Sequence, residues 1–123
     1  MFDLDGFKEI NDSFGHAIGD LALQEASTSL AGSVRPNDIL GRWGGDEFVA
    51  IIRSVSADGL AHMARRCEML VRETHIPAPD GKRRALSASV GATLVQPGDT
   101  SESILQRADE LMYAAKQSKG AAR

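Results

Sequence analysis

Two pairs of acids carry the chemistry this chain could do. Asp3 and Asp5 lie near its start, and Asp46 and Glu47 directly follow Gly44-Gly45. In an extended segment, residues two apart share a face, so Asp3 and Asp5 project to one side and Leu4 to the other. Gly44-Gly45-Asp46 separates two short apolar runs, the form of a β-hairpin tip. If that hairpin lies beside the first strand, Asp3 and Asp46 meet at the end of a sheet. Hard oxygens delivered from different strands suit Mg²⁺, which keeps waters and takes its remaining ligands from substrate phosphates. The glycines let backbone pass close to a nucleotide. The same residues also read as an ordinary Gly-Gly turn followed by solvated acids, and spacing alone does not separate the two.

The elements that must position these acids follow from periodicity. Phe7, Ile10 and Phe14 predict a short helix stopped by Gly15, and Leu23, Ala26, Leu30 and Val34 predict a longer one over residues 21–34. Arg35-Pro36-Asn37-Asp38 is turn chemistry. Residues 39–43 and 47–52 form the hairpin strands. Leu60, Met63, Ala64, Cys67, Leu70 and Val71 share one face of a helix expected over 57–75, closed by Pro77 and Pro79. Asp80-Gly81 marks a tight turn. Apolar and polar residues alternate over 86–94, predicting a strand with one face buried, with a further short strand near 82–85. Asp99 and Glu102 predict a capping box for a last helix carrying Ile104, Leu105, Ala108, Leu111, Met112 and Ala115 and ending near Gly120. The order β-α-α-β-β-α-β-α predicts an α+β fold, an antiparallel-containing sheet flanked by helices.

Composition narrows the function. A length of 123 residues with 42% apolar and 25% charged side chains fits one globular domain and excludes a disordered chain. A net charge of −3 argues against a protein that holds nucleic acid by neutralising phosphates. The single Cys67 excludes an internal disulfide and a multi-cysteine zinc site. No apolar run approaches the roughly 20 residues of a membrane span, so a cytoplasmic domain without direct membrane contact is expected, whether or not a longer protein carrying it is anchored. A core strand that starts at the first residue suggests a fragment of a longer chain.

Gly44-Gly45-Asp46-Glu47-Phe48 spells the signature of GGDEF domains, the bacterial diguanylate cyclases, which condense two GTP into cyclic di-GMP. Residues 3–12, Asp3-Leu4-Asp5-Gly6-Phe7-Lys8-Glu9-Ile10-Asn11-Asp12, resemble that family's D-x-D-x-F-K-x-I-N-D segment. Phe14-Gly15-His16 with Gly19-Asp20 resembles its continuation. Ser89-Val90-Gly91 and the final helix, with Ala108-Asp109, Met112-Tyr113 and Ala115-Lys116, are similar to the family's as well. The resemblance covers essentially residues 1–123. It implies a fold like the adenylyl cyclase catalytic core and the polymerase palm, lacking here the family's N-terminal helix and part of its first strand.

The roles that follow are those the resemblance implies. Asp3, the Leu4 carbonyl, Asp46 and Glu47 would hold two Mg²⁺ (or Mn²⁺), with Glu47 also placed to assist deprotonation of the attacking 3′-hydroxyl. Lys8 and Lys116 would hold the triphosphate, and Gly44 and Gly45 would line the nucleotide. Asn11 and Asp20 would read guanine, whose N1–H and 2-amino donors suit the Asp20 carboxylate and are absent from adenine. By position alone both residues also read as helix or turn caps. Arg35 and Asp38, five residues before the signature, match the family's inhibitory product site, with Arg66 as a residue that completes it in some relatives. Arg35-x-x-Asp38 also reads as a simple turn, and Arg66 as a solvated helix arginine. The reaction implies a homodimer, GTP as substrate, cyclic di-GMP as product and allosteric inhibitor, and an upstream sensory or dimerising domain. A non-catalytic module that binds GTP or cyclic di-GMP is the alternative.

Some residues are expected to be structural. Cys67 belongs to the core, His62 and His75 to the surface, and His16 to packing or a local hydrogen bond. Trp43 is expected to be partly buried. After Lys116, the residues Gln117-Ser118-Lys119-Gly120-Ala121 depart from the family's G-[RK]-N ending, which leaves a phosphate-binding base there in question.

Overall fold

Phe2 and Leu4 alternate with Asp3 to make β1 (Phe2–Leu4), an inner strand of the main sheet, whose two apolar side chains are almost wholly buried. In the computed structural model, which describes residues 1–121, β1 leads through Gly6 (φ +67°) into α1 (Phe7–Phe14) and α2 (His16–Ala31). The hairpin β2 (Ile39–Gly44) and β3 (Glu47–Ile51) follows, then α3 (Ala57–Arg72), a second hairpin β4 (His75–Pro77) and β5 (Arg83–Ala85), β6 (Ala88–Val90) and α4 (Ser101–Ala121). The main sheet has the order β2-β3-β1-β6 with antiparallel neighbours throughout, and β4-β5 forms a separate pair. This is the α+β architecture expected. The core joins Phe2 and Leu4 to Ile10, Leu30, Phe48, Val71 and Ile76, clamping α1, α2 and α3 onto one face of the sheet. Among the described residues no helix is long and apolar enough to cross a membrane.

Several boundaries differ from the periodicity, each for a local reason. α2 starts at His16 rather than residue 21, because Gly15 (φ +91°) both ends α1 and opens α2, and the Ala- and Leu-rich run then carries helix through Gly19 and Asp20. α3 ends at Arg72, since Thr74 folds its hydroxyl back onto the Leu70 carbonyl (2.8 Å) and His75 to Pro77 pair with β5. The strand expected over 86–94 shrinks to Ala88–Val90. Beyond it Gly91 pairs with Met1 through two bonds of 2.7 and 2.9 Å, and Thr93 and Leu94 bond Arg107 of α4 instead of a strand.

The capping box sits one residue along from Asp99/Glu102. The Ser103 amide donates to Thr100 Oγ1 (3.1 Å) and the Thr100 amide to Ser103 Oγ (2.9 Å). That frees Asp99 to bridge Arg107 at 2.7 Å. On α4, Ala108 and Met112 are buried but Leu111 is 44% exposed.

Candidate active site

The register of β1 determines what surrounds Asp3. On one side Asp3 lies opposite Glu47 of β3, and on the other opposite Ser89 of β6. The Leu4 amide donates to the Asp46 carbonyl (3.2 Å), which draws the hairpin turn against the end of β1. Asp3 and Asp46 therefore meet, as the sequence predicts. Burial, then the neighbouring Asp46 carboxyl, pushes Asp3 up to about 6, outweighing the Lys116 ammonium that acts the other way. Among the described residues, Asp3 Oδ1 is buried without a hydrogen-bond partner. Its other oxygen, Oδ2, takes the Lys116 ammonium at 2.5 Å. For Lys116, burial pulls its pKa down, yet Asp3, Asp5 and Asp46 together leave it raised.

This donor set fits a hard divalent cation. Two carboxylates are crowded together and one buried oxygen is unpartnered, with the Leu4 carbonyl at the same strand end. Glu47 stands beside them in the ladder, but among the described residues no three His, Cys, Asp or Glu side chains converge into a closed cage. An open site of this kind leaves positions for phosphate oxygens and water. Asp5, by contrast, is saturated. It accepts from Ser87 and Ser89 at 2.6 Å each and from Lys119 at 3.0 Å, so it braces β1 against β6 and α4 rather than facing a ligand.

The turn that carries Asp46 has a support the sequence reading missed. Arg42 donates from Nε (2.9 Å) and Nη2 (2.6 Å) to the Gly45 carbonyl, holding a residue at φ +44° beside a register shift in the hairpin. An arginine three residues before a turn carbonyl was the available signal. Lys119 is the other residue missed. It lies in the stretch where the sequence departs from the family ending, and it bonds Asp5 and the Ala88 carbonyl.

Asn11 packs on Gly19, the residue before Asp20. A Cβ on Gly19 would lie 1.8 Å from Asn11 Oδ1, so the Asn11 amide rests on the backbone of α2 one residue from Asp20. Asp20 sits inside α2 and is exposed, which removes its reading as an N-cap. Gly15 holds that position without a side-chain cap. Lys8 is exposed on the first turn of α1.

Arg35 and Asp38 form a local ion pair. Arg35 Nε lies 3.0 Å from Asp38 Oδ2, and Asp38 also accepts from the Arg35 and Arg53 amides at 3.0 Å each. Arg35 completes the tie by donating to the Arg53 carbonyl. The guanidinium, and next the Arg53 amide, hold Asp38 down at about 2. The pair thus pins the turn before β2 to the end of β3, and Arg66 lies exposed on α3 with no bond to it.

Trp43 is 58% exposed, not partly buried as expected, because β2 is an edge strand with no further strand beyond it among the described residues. His16 is exposed at the start of α2 and, among the described residues, makes no side-chain hydrogen bond, contrary to the packing or local bond expected of it. His62 and His75 are exposed and Cys67 is buried, as expected.

The family model described as "Diguanylate cyclase, GGDEF domain" matches residues 1–122. The chain is 38% identical over 116 residues to diguanylate cyclase DosC of Escherichia coli K12, covering 94% of this chain and 25% of that protein. It is 40% identical over 121 residues to the response regulator PleD of Caulobacter vibrioides, covering 96% and 26% respectively. The GGDEF domain of DgcB from Caulobacter crescentus, solved in complex with c-di-GMP, matches with a TM-score of 0.88 at 27% identity, over 95% of this chain and 70% of that one. The chain thus spans about a quarter of the length of the curated relatives it matches.

Proposed function

The chain belongs to the GGDEF diguanylate cyclase family, and from that membership we propose that it condenses two GTP into cyclic di-GMP with release of two pyrophosphates. The observation that carries this reading is the meeting of Asp3 and Asp46 around an unpartnered buried oxygen, at the mouth of a glycine turn. Asp3, Asp46 and the Leu4 carbonyl would hold Mg²⁺ or Mn²⁺, with Glu47 adjoining. When bound, two such ions supply charge stabilisation to the attacking and leaving oxygens. The side chains of this domain do the rest. Asn11 and Asp20 orient guanine, Lys8 and Lys116 balance the triphosphate, and Glu47 accepts the proton of the 3′-hydroxyl as that oxygen attacks the α-phosphorus of the second GTP.

Each nucleotide reacts with the other twice, so two such domains must face one another. A homodimer arranged by an upstream sensory or dimerising segment meets that need. Cyclic di-GMP is also the proposed ligand of Arg35 and Asp38. Their mutual bridge leaves the Arg35 side chain 48% exposed, and the guanidinium fork suits a guanine edge or a phosphate.

The test is mass spectrometry of the protein incubated with GTP and Mg²⁺, alongside Asp46→Asn. The proposal expects cyclic di-GMP, with turnover reduced about a thousandfold in the variant, since several kcal/mol of charge stabilisation are removed. Equal product from both proteins would overturn the metal assignment. GTP bound but never consumed would turn the assignment to a binding module.

A further inference from the structure

Arg84 is a cation that the proposed mechanism does not use. It sits in β5 directly opposite Ile76, which is fully buried, so the pairing that points Ile76 inward also points Arg84 toward α1. Its guanidinium carbon lies 5.5 Å from the centroid of the Phe14 ring. Its Nη2 reaches 3.6 Å from where a Cβ of Gly6 would stand. Gly6 is glycine for its φ of +67°, and the arginine head group rests at ordinary contact distance beside it. The Glu9 carboxylate is near the same point (3.7 Å), yet Arg84 makes no ion pair among the described residues. The face cation–π contact holds the head group in place without consuming its five donors.

The turn at Gly6 leads from Asp3 into the first turn of α1, whose earliest internal bond is Ile10 N–H to the Gly6 carbonyl. The amides of Phe7, Lys8 and Glu9 therefore lack partners within the helix. A triphosphate bridged to Asp3 and Asp46 brings several negative charges to this turn. Of the two lysines of α4 that reach the site, Lys119 is committed to Asp5. We propose that Arg84 supplies a guanidinium contact to the terminal phosphates of the bound GTP, so that the triphosphate is gripped between α4 on one side and the β4–β5 hairpin on the other. This inference rests on the GTP-binding part of the proposed function and not on turnover.

The experiment compares GTP and GMP affinity by calorimetry for the wild-type protein, Arg84→Met and Arg84→Lys. Methionine keeps an apolar stem over Phe14 and removes the charge, and lysine keeps the charge without the fork. Arg84→Met should weaken GTP about tenfold, equivalent to about 1.4 kcal/mol, with GMP unchanged, and Arg84→Lys should recover part of the loss. GTP affinity unchanged within twofold, or GMP weakened in step with GTP, would overturn the proposal. If the wild type binds GTP but makes no cyclic di-GMP, the cyclase reading fails while the Arg84 contact is still decided by the GTP/GMP comparison. A wild type that binds no GTP overturns both.

Discussion

Replacing Gly19 by alanine should separate stability from base recognition in one atom. Alanine is better than glycine inside a helix by about 1 kcal/mol, and Gly19 lies within α2. The new methyl, however, would stand 1.8 Å from Asn11 Oδ1 and 2.9 Å from its Cγ. The Asn11 amide must retreat by roughly 1.5 Å or more to regain a normal contact near about 3.5 Å. Only the end of a side chain has to move, so an off-rotamer cost of about 0.5–1.5 kcal/mol roughly cancels the helix gain, and the melting temperature should shift by a few degrees at most. A displacement of that size breaks a hydrogen bond to a bound base. Loss of one base contact worth about 1–3 kcal/mol should weaken GTP by about 5- to 150-fold and lower the GTP-over-ATP preference by a similar factor. The assay is competitive binding of GTP and ATP together with a thermal melt of Gly19→Ala. An unchanged nucleotide preference in a folded variant would refute the placement of Asn11 at the guanine.

Gly91→Ala tests the seat of α4. Its Cβ would fall 2.0 Å from the Ala108 carbonyl oxygen and 2.4 Å from the Met112 nitrogen, which are backbone atoms and cannot rotate away. A loss of about 1–3 kcal/mol in chemical denaturation is expected. Turnover should fall further than stability explains, because the same helix carries Lys116 to Asp3. Acid titration of unfolding tests the Arg35–Asp38 tie. Asp38 is held at about 2 in the fold against an ordinary 3.8, so its contribution is present above about 4 and lost as pH falls toward 2. Asp38→Asn should flatten that limb of the stability profile, and a variant with the wild-type slope would show the bridge to be inert.

Much of this was legible in the residue order. Phe7, Ile10 and Phe14 specified α1 to the residue, and Gly44-Gly45 between two apolar runs specified the hairpin, because helix and hairpin are local and their periods are written along the chain. The two acid clusters were legible for the same reason. Boundaries were less so. α2 takes in Gly19 and Asp20 because it already opens at Gly15, and nothing within α2 announces that Asn11 of the neighbouring helix fills the place of the missing Gly19 Cβ. Likewise β6 stops where its ladder with β1 runs out at Met1 and Arg107 takes over the Thr93 hydroxyl and the Leu94 carbonyl.

What the chain determined by itself was which residue types are available and which local elements carry them. Tertiary structure decided their partners. Lys116 neutralises one oxygen of Asp3, Lys119 is drawn to Asp5, Arg42 holds the signature turn, and Arg84 reaches Gly6 from a hairpin nearly eighty residues away. Local periodicity is set by backbone sterics within a few residues, whereas these contacts depend on strand register and on helices seated against a shared core. There, a shift of one residue would turn every side chain to the opposite face.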